Sequence, residues 1–282
     1  MIEQFEKYLH QEDLSENTRS SYVQHAKGFL KWFEESKGTE FKQLHRENVK
    51  DYISYLRTIK KSSPKTINAK ISALIKLNEF LMDSKVQNDY AVSKKDNLKI
   101  QQQYASLARI DVKDVERFRQ LLLDHEKSKR NHSIITLMAY AGLRISEALE
   151  IKMMDFNLVS RELLIKGKGD KARTVFMSDK VITALKEWLK ERKALDSDYL
   201  FISNRGSNLN RTVINNLFTT YSKQLGKDIT PHDLRHFFCS HAISKGMSVH
   251  EVANHAGHSN IHTTLLYTNP SKTELIDKMN QL

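Results

Sequence analysis

Two short strand-like runs in an otherwise helical sequence set the fold class of this chain. Leu163-Leu164-Ile165 and Thr174-Val175-Phe176 favour extended backbone, and Gly167-Lys168-Gly169-Asp170 between them is typical of a hairpin turn. Apolar residues elsewhere recur at helical spacing. The sequence therefore predicts a mainly α fold with a small antiparallel β-sheet, and it places Lys168 at or beside the tip of the hairpin.

The length of 282 residues and the helical pattern predict two domains. Four amphipathic helices are predicted within the first 100 residues, and they make a small bundle. A stretch rich in Lys, Asn and Gln then lacks apolar periodicity, which indicates a connector. We assign residues 1–98 to a helical domain, 99–108 to a linker and 109–282 to a second domain. A short tail helix is predicted at its end, from an apolar stripe at Leu275, Ile276 and Met279.

The charge balance favours a polyanionic partner. The chain has 45 Lys and Arg against 34 Asp and Glu, a formal net charge of +11. Such a surface attracts nucleic acid or an anionic membrane. No apolar run approaches the roughly 20 residues that span a bilayer, and the N-terminus has no secretory pattern. A single cysteine, Cys239, fits a reducing compartment. We expect a cytoplasmic, nucleoid-associated protein and no membrane partner.

Basic residues on the polar faces of the first four helices form a candidate DNA-binding surface. Its predicted members are Arg19, Lys27, Lys65 and Lys70. A merely solvated surface would carry the same residues, so charge alone does not separate the two interpretations.

The heptapeptide from Thr230 to His236 predicts a helix that begins at an anion site. Its threonine suits the N-cap, its proline the first helical position, and its aspartate the capping-box position. His232 and Arg235 are three residues apart, so they share a face near the positive end of the helix dipole. A guanidinium, an imidazole and exposed amides suit a phosphate. A capped helix with a polar face explains the heptapeptide equally well.

Four motifs and a tyrosine, in this order, resemble the tyrosine recombinases (phage integrases, Xer-type resolvases and transposon integrases). They are Ala141-Gly142-Leu143-Arg144-Ile145-Ser146-Glu147, Gly167-Lys168-Gly169, His232-Asp233-Leu234-Arg235-His236 and Gly257-His258-Ser259, followed by Thr263-Thr264 and Tyr267. The resemblance covers nearly the whole chain. It implies a SAM-like helical domain that binds the core DNA site, followed by an α+β catalytic domain.

The resemblance implies that three side chains hold the scissile phosphate. Arg144 and Arg235 would clamp its non-bridging oxygens, and His258 would be a third donor. Glu147 and Asp233 would support them by orienting the arginines and holding helix ends.

The remaining implied roles concern proton transfer and attack. Tyr267 would be the nucleophile that forms a 3′-phosphotyrosyl bond, Lys168 would protonate the departing 5′ oxygen, and His232 would assist proton movement. Arg173 and His236 are predicted to contact DNA; Arg173 facing water and a structural His236 are the alternatives.

The resemblance implies no cofactor and no metal. His232 with His236, and His258 with His262, also have the i,i+4 spacing of zinc ligands, but neighbouring arginines would repel a cation.

The implied function is site-specific recombination of double-stranded DNA through a Holliday junction. The enzyme would act as a tetramer on two DNA sites, with an accessory directionality factor, to integrate or excise a mobile element. An Xer-like chromosome-dimer resolvase, a type IB topoisomerase-like nicking-closing enzyme and a catalytically silent DNA-binding regulator are the alternatives. Residues 251–256 replace a more leucine-rich segment of many relatives, which argues against a standard Xer enzyme.

Overall fold

A computed structural model describes residues 1–100, 109–167, 172–193, 197–203, 205–258, 264 and 279–280. The chain divides into two compact units, Met1–Gln102 and Gln103–Leu282. Most of the predicted linker, residues 101–108, lies outside the described residues, as does the predicted tail helix apart from residues 279–280. No helix within the described ranges has both the length and the apolar character needed to cross a membrane.

The first unit contains four helices and a short 3-10 turn: α1 (Ile2–Gln11), α2 (Glu16–Lys37), α3 (Arg46–Thr58), α4 (Pro64–Asp83) and the turn Lys94–Asp96. Serines begin the two long helices, because Ser15 accepts a hydrogen bond from the amide of Thr18 and Ser63 from that of Thr66. The apolar faces of the four helices meet in one core that contains Phe5, Phe29, Val49, Ile67 and Leu74. The predicted bundle is confirmed.

The second unit is helical around a small sheet. In its described residues the helices with defined bounds are α5 (Val112–His125), α6 (Lys129–Tyr140), α7 (Ile145–Leu149), α8 (Asp179–Glu191), α9 (Arg211–Leu225), α10 (Pro231–Ser244) and α11 (Val249–Ala256). Its strands are β1 (Phe156–Asn157), β2 (Glu162–Lys166) and β3 (Ala172–Phe176), in the order β1-β2-β3. Both pairings are antiparallel, and Leu164 lies opposite Thr174. The mainly α fold with a small antiparallel sheet is confirmed.

Helix α6 lies at the centre of the second unit. Its residues from Asn131 to Ala139 are all buried, because the helix packs against α5, α8 and α10 on different sides. Immediately after this helix the chain turns and presents Arg144. The first candidate site residue therefore follows directly after a fully packed helix.

Candidate active site

A turn at Gly142, just after the end of α6, orients the backbone that leads to Arg144. Gly142 has a φ of +66°, which side chains rarely adopt, and a Cβ there would lie 2.7 Å from Cε1 of Phe238. The Phe238 ring, on α10, therefore packs directly against the backbone of the turn. Arg144 follows as the N-cap of α7, with 44% of its side chain exposed.

Replacement of Gly142 by alanine is expected to lower the free energy of unfolding by about 2–4 kcal/mol, from left-handed backbone strain and overlap with Phe238. Urea denaturation measures the change. Gly226→Ala is the matched control, because Gly226 has a φ of +69° and a Cβ there would meet no atom within 4 Å. Equal losses in the two variants would contradict the close approach of Phe238.

Glu147 is buried among arginine donors. Its Oε1 accepts from Nη1 of Arg144 at 2.6 Å, and its Oε2 accepts from the Arg144 amide at 2.8 Å. The two oxygens also accept from Nη1 and Nη2 of Arg173, both at 3.0 Å. Burial alone would raise the pKa of Glu147, but these hydrogen bonds outweigh burial and hold the pKa below its usual range. The carboxylate stays charged and orients Arg144.

Arg235 is the most deeply buried cation of the site, with 5% of its surface exposed. Nη1 donates to the carbonyl of Gly142 and Nη2 to that of Ala256, both at 2.6 Å. Burial, with repulsion from Arg144, lowers the pKa of Arg235 to about 10, so the side chain is still protonated at neutral pH. These two bonds use two of the five N–H donors of the guanidinium.

His258 follows directly after the end of α11. Gly257 closes that helix with a φ of +67°, and its carbonyl accepts from Nη2 of Arg144 at 3.0 Å. Nδ1 of His258 lies 2.7 Å from Oγ1 of the buried Thr264. Burial, with repulsion from Arg235 and Arg144, lowers the pKa of His258 to about 4. The imidazole is therefore neutral at pH 7.

The predicted capping box at the start of α10 is confirmed. Thr230 accepts from the amide of Asp233 at 3.2 Å, and the Asp233 carboxylate accepts from the amide of Thr230 at 2.9 Å. Asp233 thus holds the helix end. In the same first turn, Nε2 of the exposed His232 lies 2.7 Å from Nε2 of His236, which is one turn further along α10. Burial, with repulsion from His232, lowers the pKa of His236 to about 4.

Lowering the pH from 7 towards 5 is expected to reduce the free energy of unfolding. Burial lowers the pKa of His132, His255 and His258 to about 4, whereas an unfolded histidine titrates near 6.5. Between these values the unfolded chain binds more protons, so stability falls as the pH falls. Urea denaturation at several pH values measures the slope.

The matched variants are His132→Gln, which removes a buried imidazole, and His10→Gln, which changes an exposed one. The first should flatten the slope and the second should leave it unchanged. Identical slopes in the two variants and the wild type would contradict the assigned cause.

The structure differs from expectation at Arg173. The sequence predicts that this side chain contacts DNA or faces water, but it is only 15% exposed and its guanidinium is bound to Glu147. The physical reason is strand alternation: Arg173 lies two residues before the buried Val175 and opposite the buried Ile165. The inward face of β3 therefore carries this arginine into the site.

The structure brings together Arg144, Glu147, Arg235 and His258, and it adds Arg173. Lys168 and Tyr267 lie outside the described residues, and their roles remain predictions. The sequence also did not predict the hydrogen bond between the side chains of Thr264 and His258. Within the described ranges, no group of three or more His, Cys, Asp and Glu side chains could hold a metal ion.

The first unit has a cationic groove between its helices. The groove measures about 450 Å³, and its lining includes three lysines, one glutamate and three aromatic side chains: Lys31, Lys60, Lys70, Glu35, Trp32, Tyr52 and Tyr55. Burial, with repulsion from Lys60, lowers the pKa of Lys70. Of the other predicted DNA contacts, Lys27 and Lys65 are exposed, and Arg19 is half-buried. An anion in this region would relieve the mutual repulsion of the lysines.

Comparison with known proteins covers both units. The phage integrase family matches residues 108–274, and the N-terminal SAM-like domain of phage integrases matches residues 1–93. The TnP I resolvase of Bacillus thuringiensis is 50% identical over 100% of this chain and 99% of its own length. The tyrosine recombinase XerD of Staphylococcus haemolyticus is 30% identical over 100% of this chain and 97% of its own length.

Two solved structures share the fold. The XerH site-specific recombinase bound to palindromic difH substrate, in a post-cleavage complex, has a TM-score of 0.75 at 25% identity and covers 93% of this chain and 78% of its own. The Tn1549 transposon integrase in complex with a circular intermediate DNA has a TM-score of 0.72 at 19% identity, and the match covers 99% of this chain and 98% of the integrase chain.

Proposed function

The chain belongs to the phage integrase family and is a tyrosine-type site-specific DNA recombinase, and we propose that it cleaves and rejoins double-stranded DNA through a 3′-phosphotyrosyl intermediate. One observation carries this proposal. Two guanidiniums, of Arg144 and Arg235, converge on the end of α11, where His258 follows. Each keeps N–H donors beyond the two side-chain bonds described above, so together they suit a bound phosphate.

The proposed role of the two arginines is electrostatic. A phosphodiester builds negative charge on its equatorial oxygens as it reacts. Donors held in place beforehand stabilise that charge without reorganising during the reaction. A guanidinium stays protonated and offers two parallel donors, which a lysine does not. His258 is neutral at pH 7 and held by Thr264, so it would add one N–H donor without a further charge.

The proposed chemical step exchanges one phosphoester for another. The phenolic oxygen of Tyr267 attacks phosphorus as the bond from phosphorus to the 5′ oxygen breaks. The phenolic proton moves towards His232, and Lys168 gives a proton to the departing 5′ oxygen. Reversal of this step by a 5′ hydroxyl rejoins the strand. The ester bond energy is conserved, so rejoining requires no ATP or other cofactor, and the proposed charge stabilisation comes from the guanidiniums without a metal.

Double-stranded DNA is the proposed partner of both units. The net charge of +11 favours it, and the similar XerH and Tn1549 structures are complexes with DNA. In the first unit, we assign phosphate contacts to Arg19, Lys27, Lys65 and Lys70 and to the cationic groove. In the second unit, we assign a DNA contact to His236, which lies beside His232.

The proposed biological role is recombination for a mobile element. The relative with 50% identity is named a resolvase, which favours resolution of joined DNA as the product. We propose that four copies act on two DNA sites through a Holliday junction, at the nucleoid, with an accessory factor setting direction. A second candidate is an Xer-like chromosome-dimer resolvase, because relatives of 28–30% identity are named XerD.

Covalent capture on nicked duplexes tests the function. A pool of randomised duplexes, each with a nick beside the cleavage point, lets a short fragment diffuse away, so that the adduct cannot religate. In excess EDTA, we expect a denaturant-resistant adduct enriched for one DNA sequence. An adduct without sequence enrichment would favour a topoisomerase, and the absence of an adduct despite tight binding would favour a silent regulator.

A plasmid with two copies of the captured site then tests recombination. Two smaller circles from directly repeated sites are the expected product. Relaxed plasmid without exchange would contradict the proposed function.

A further inference from the structure

Arg173 is a third guanidinium in the site, and its donors point at the protein. Nη1 and Nη2 each donate at 3.0 Å to the Glu147 carboxylate, and Nε donates at 2.9 Å to the carbonyl of His255. All three nitrogens are engaged, and 15% of the side chain is exposed. Arg144 and Arg235 each use two guanidinium N–H donors on protein groups, whereas Arg173 uses three. Arg173 is thus placed to hold the site together and not to bind the phosphate.

The first consequence of this placement is electrostatic. Glu147 carries one negative charge between Arg144 and Arg173, so these two arginines and Arg235 leave the cluster with a net charge of +2 (three positive, one negative). Without Arg173 the net charge would be +1, and Arg144 would be the only guanidinium paired with Glu147. The buried carboxylate would then compete with the DNA phosphate for Arg144.

The second consequence is geometric. Three successive carbonyl oxygens at the end of α11 each accept from a different arginine: His255 from Arg173, Ala256 from Arg235 and Gly257 from Arg144. The negative end of the helix dipole favours these cations. A Cβ on Gly257 would lie 2.8 Å from Cζ of Arg173, so the guanidinium packs against the glycine backbone. Arg173 therefore ties β3 to the residue that precedes His258.

We propose that Arg173 is a positioning residue for DNA cleavage. It neutralises Glu147 and fixes the end of α11, and through them it sets the positions of Arg144 and His258. The proposal rests on the proposed function, because its expected effect is on the cleavage step.

The test separates DNA binding from cleavage. The full chain and its variants Arg173→Gln and Arg173→Lys are mixed with excess nicked duplex of the captured sequence. Arg173→Gln should form the adduct about 100-fold more slowly, because a displacement near 1 Å costs about that factor, while its Kd stays within about threefold. Arg173→Lys keeps the charge but not the bidentate geometry, and it should recover part of the rate. Arg161→Gln is the control, since Arg161 is an exposed arginine paired with exposed Asp179.

A double-mutant cycle tests whether Arg173 acts through Glu147. If it does, the loss of cleavage rate in Arg173→Gln combined with Glu147→Gln should be smaller than the product of the two single losses. If the double variant loses cleavage rate by the full product of the two single losses, the proposal is overturned. An unchanged cleavage rate in an Arg173→Gln variant with a native melting temperature would also overturn it. A slowdown explained wholly by weaker DNA binding would also overturn it.

Folding and function controls keep the outcomes separate. If Arg173→Gln unfolds, Arg173→Lys decides: a native melting temperature with the wild-type rate would overturn the proposal, and a slower rate would support it. An adduct in the wild type with equal rates in the variants removes only this inference. Absence of an adduct in the wild type removes the proposed function itself.

Discussion

Tyr267→Phe is expected to bind the target duplex with wild-type affinity and to form no covalent adduct. The change removes only the phenolic oxygen, so contacts of the ring and of the basic surfaces remain. Loss of a nucleophile that acts with a base and oxyanion donors costs on the order of 10⁶-fold in rate in a hydrolase. A loss of that order puts strand cleavage below detection. Adduct formation on a nicked duplex measures the chemistry, and a mobility shift of the same duplex measures binding.

The control for Tyr267→Phe is Tyr90→Phe. Tyr90 is 63% exposed in the first unit, and the loss of its hydroxyl should leave both readouts unchanged. Persistence of the adduct in Tyr267→Phe would show that another residue attacks the phosphate. Loss of DNA binding together with the adduct would instead make Tyr267 a DNA contact or a folding residue, and the nucleophile would have to be sought elsewhere.

Local patterns predicted most of the framework around this site. The capping box of Thr230 and Asp233 depends on residues three apart, so the sequence contains all the information that it needs. The β2–β3 hairpin follows in the same way from two strand-like runs and the turn between them. Each of these features is decided within a few residues.

Contacts between residues far apart in the sequence could not be predicted from such local patterns. Arg235 was predicted to face a phosphate near a helix start, but its depth depends on the carbonyl of Gly142, 93 residues away. The pairing of Arg173 with Glu147 spans 26 residues. One signal was present in the sequence: Arg173 and the apolar Val175 share one face of β3. Read with that alternation, the arginine points inward, where a buried cation requires a partner.

Arg235→Lys is expected to slow adduct formation by about 10²–10³-fold, by analogy with the loss of one oxyanion-hole donor. Lysine keeps the positive charge but is a compact point charge with no planar fork. Arg235 bonds two carbonyls, of Gly142 and Ala256, and its three other N–H donors are available for the proposed phosphate. A single ammonium cannot satisfy both carbonyls and reach the same phosphate oxygens. The rate of adduct formation under saturating enzyme measures the effect directly.

Measurements of thermal stability and of DNA binding show whether a slower rate in Arg235→Lys comes from lost catalysis or from disturbed packing. Removal of the whole side chain would leave two carbonyls without their donor and open a cavity, so Arg235→Ala is a test of folding more than of chemistry. Arg161→Lys repeats the lysine change at an exposed ion pair with Asp179 and should keep the wild-type rate. A wild-type rate in a folded Arg235→Lys would mean that charge alone suffices. The bidentate geometry would then belong to Arg144, whose exposed guanidinium is held by Glu147 and Gly257.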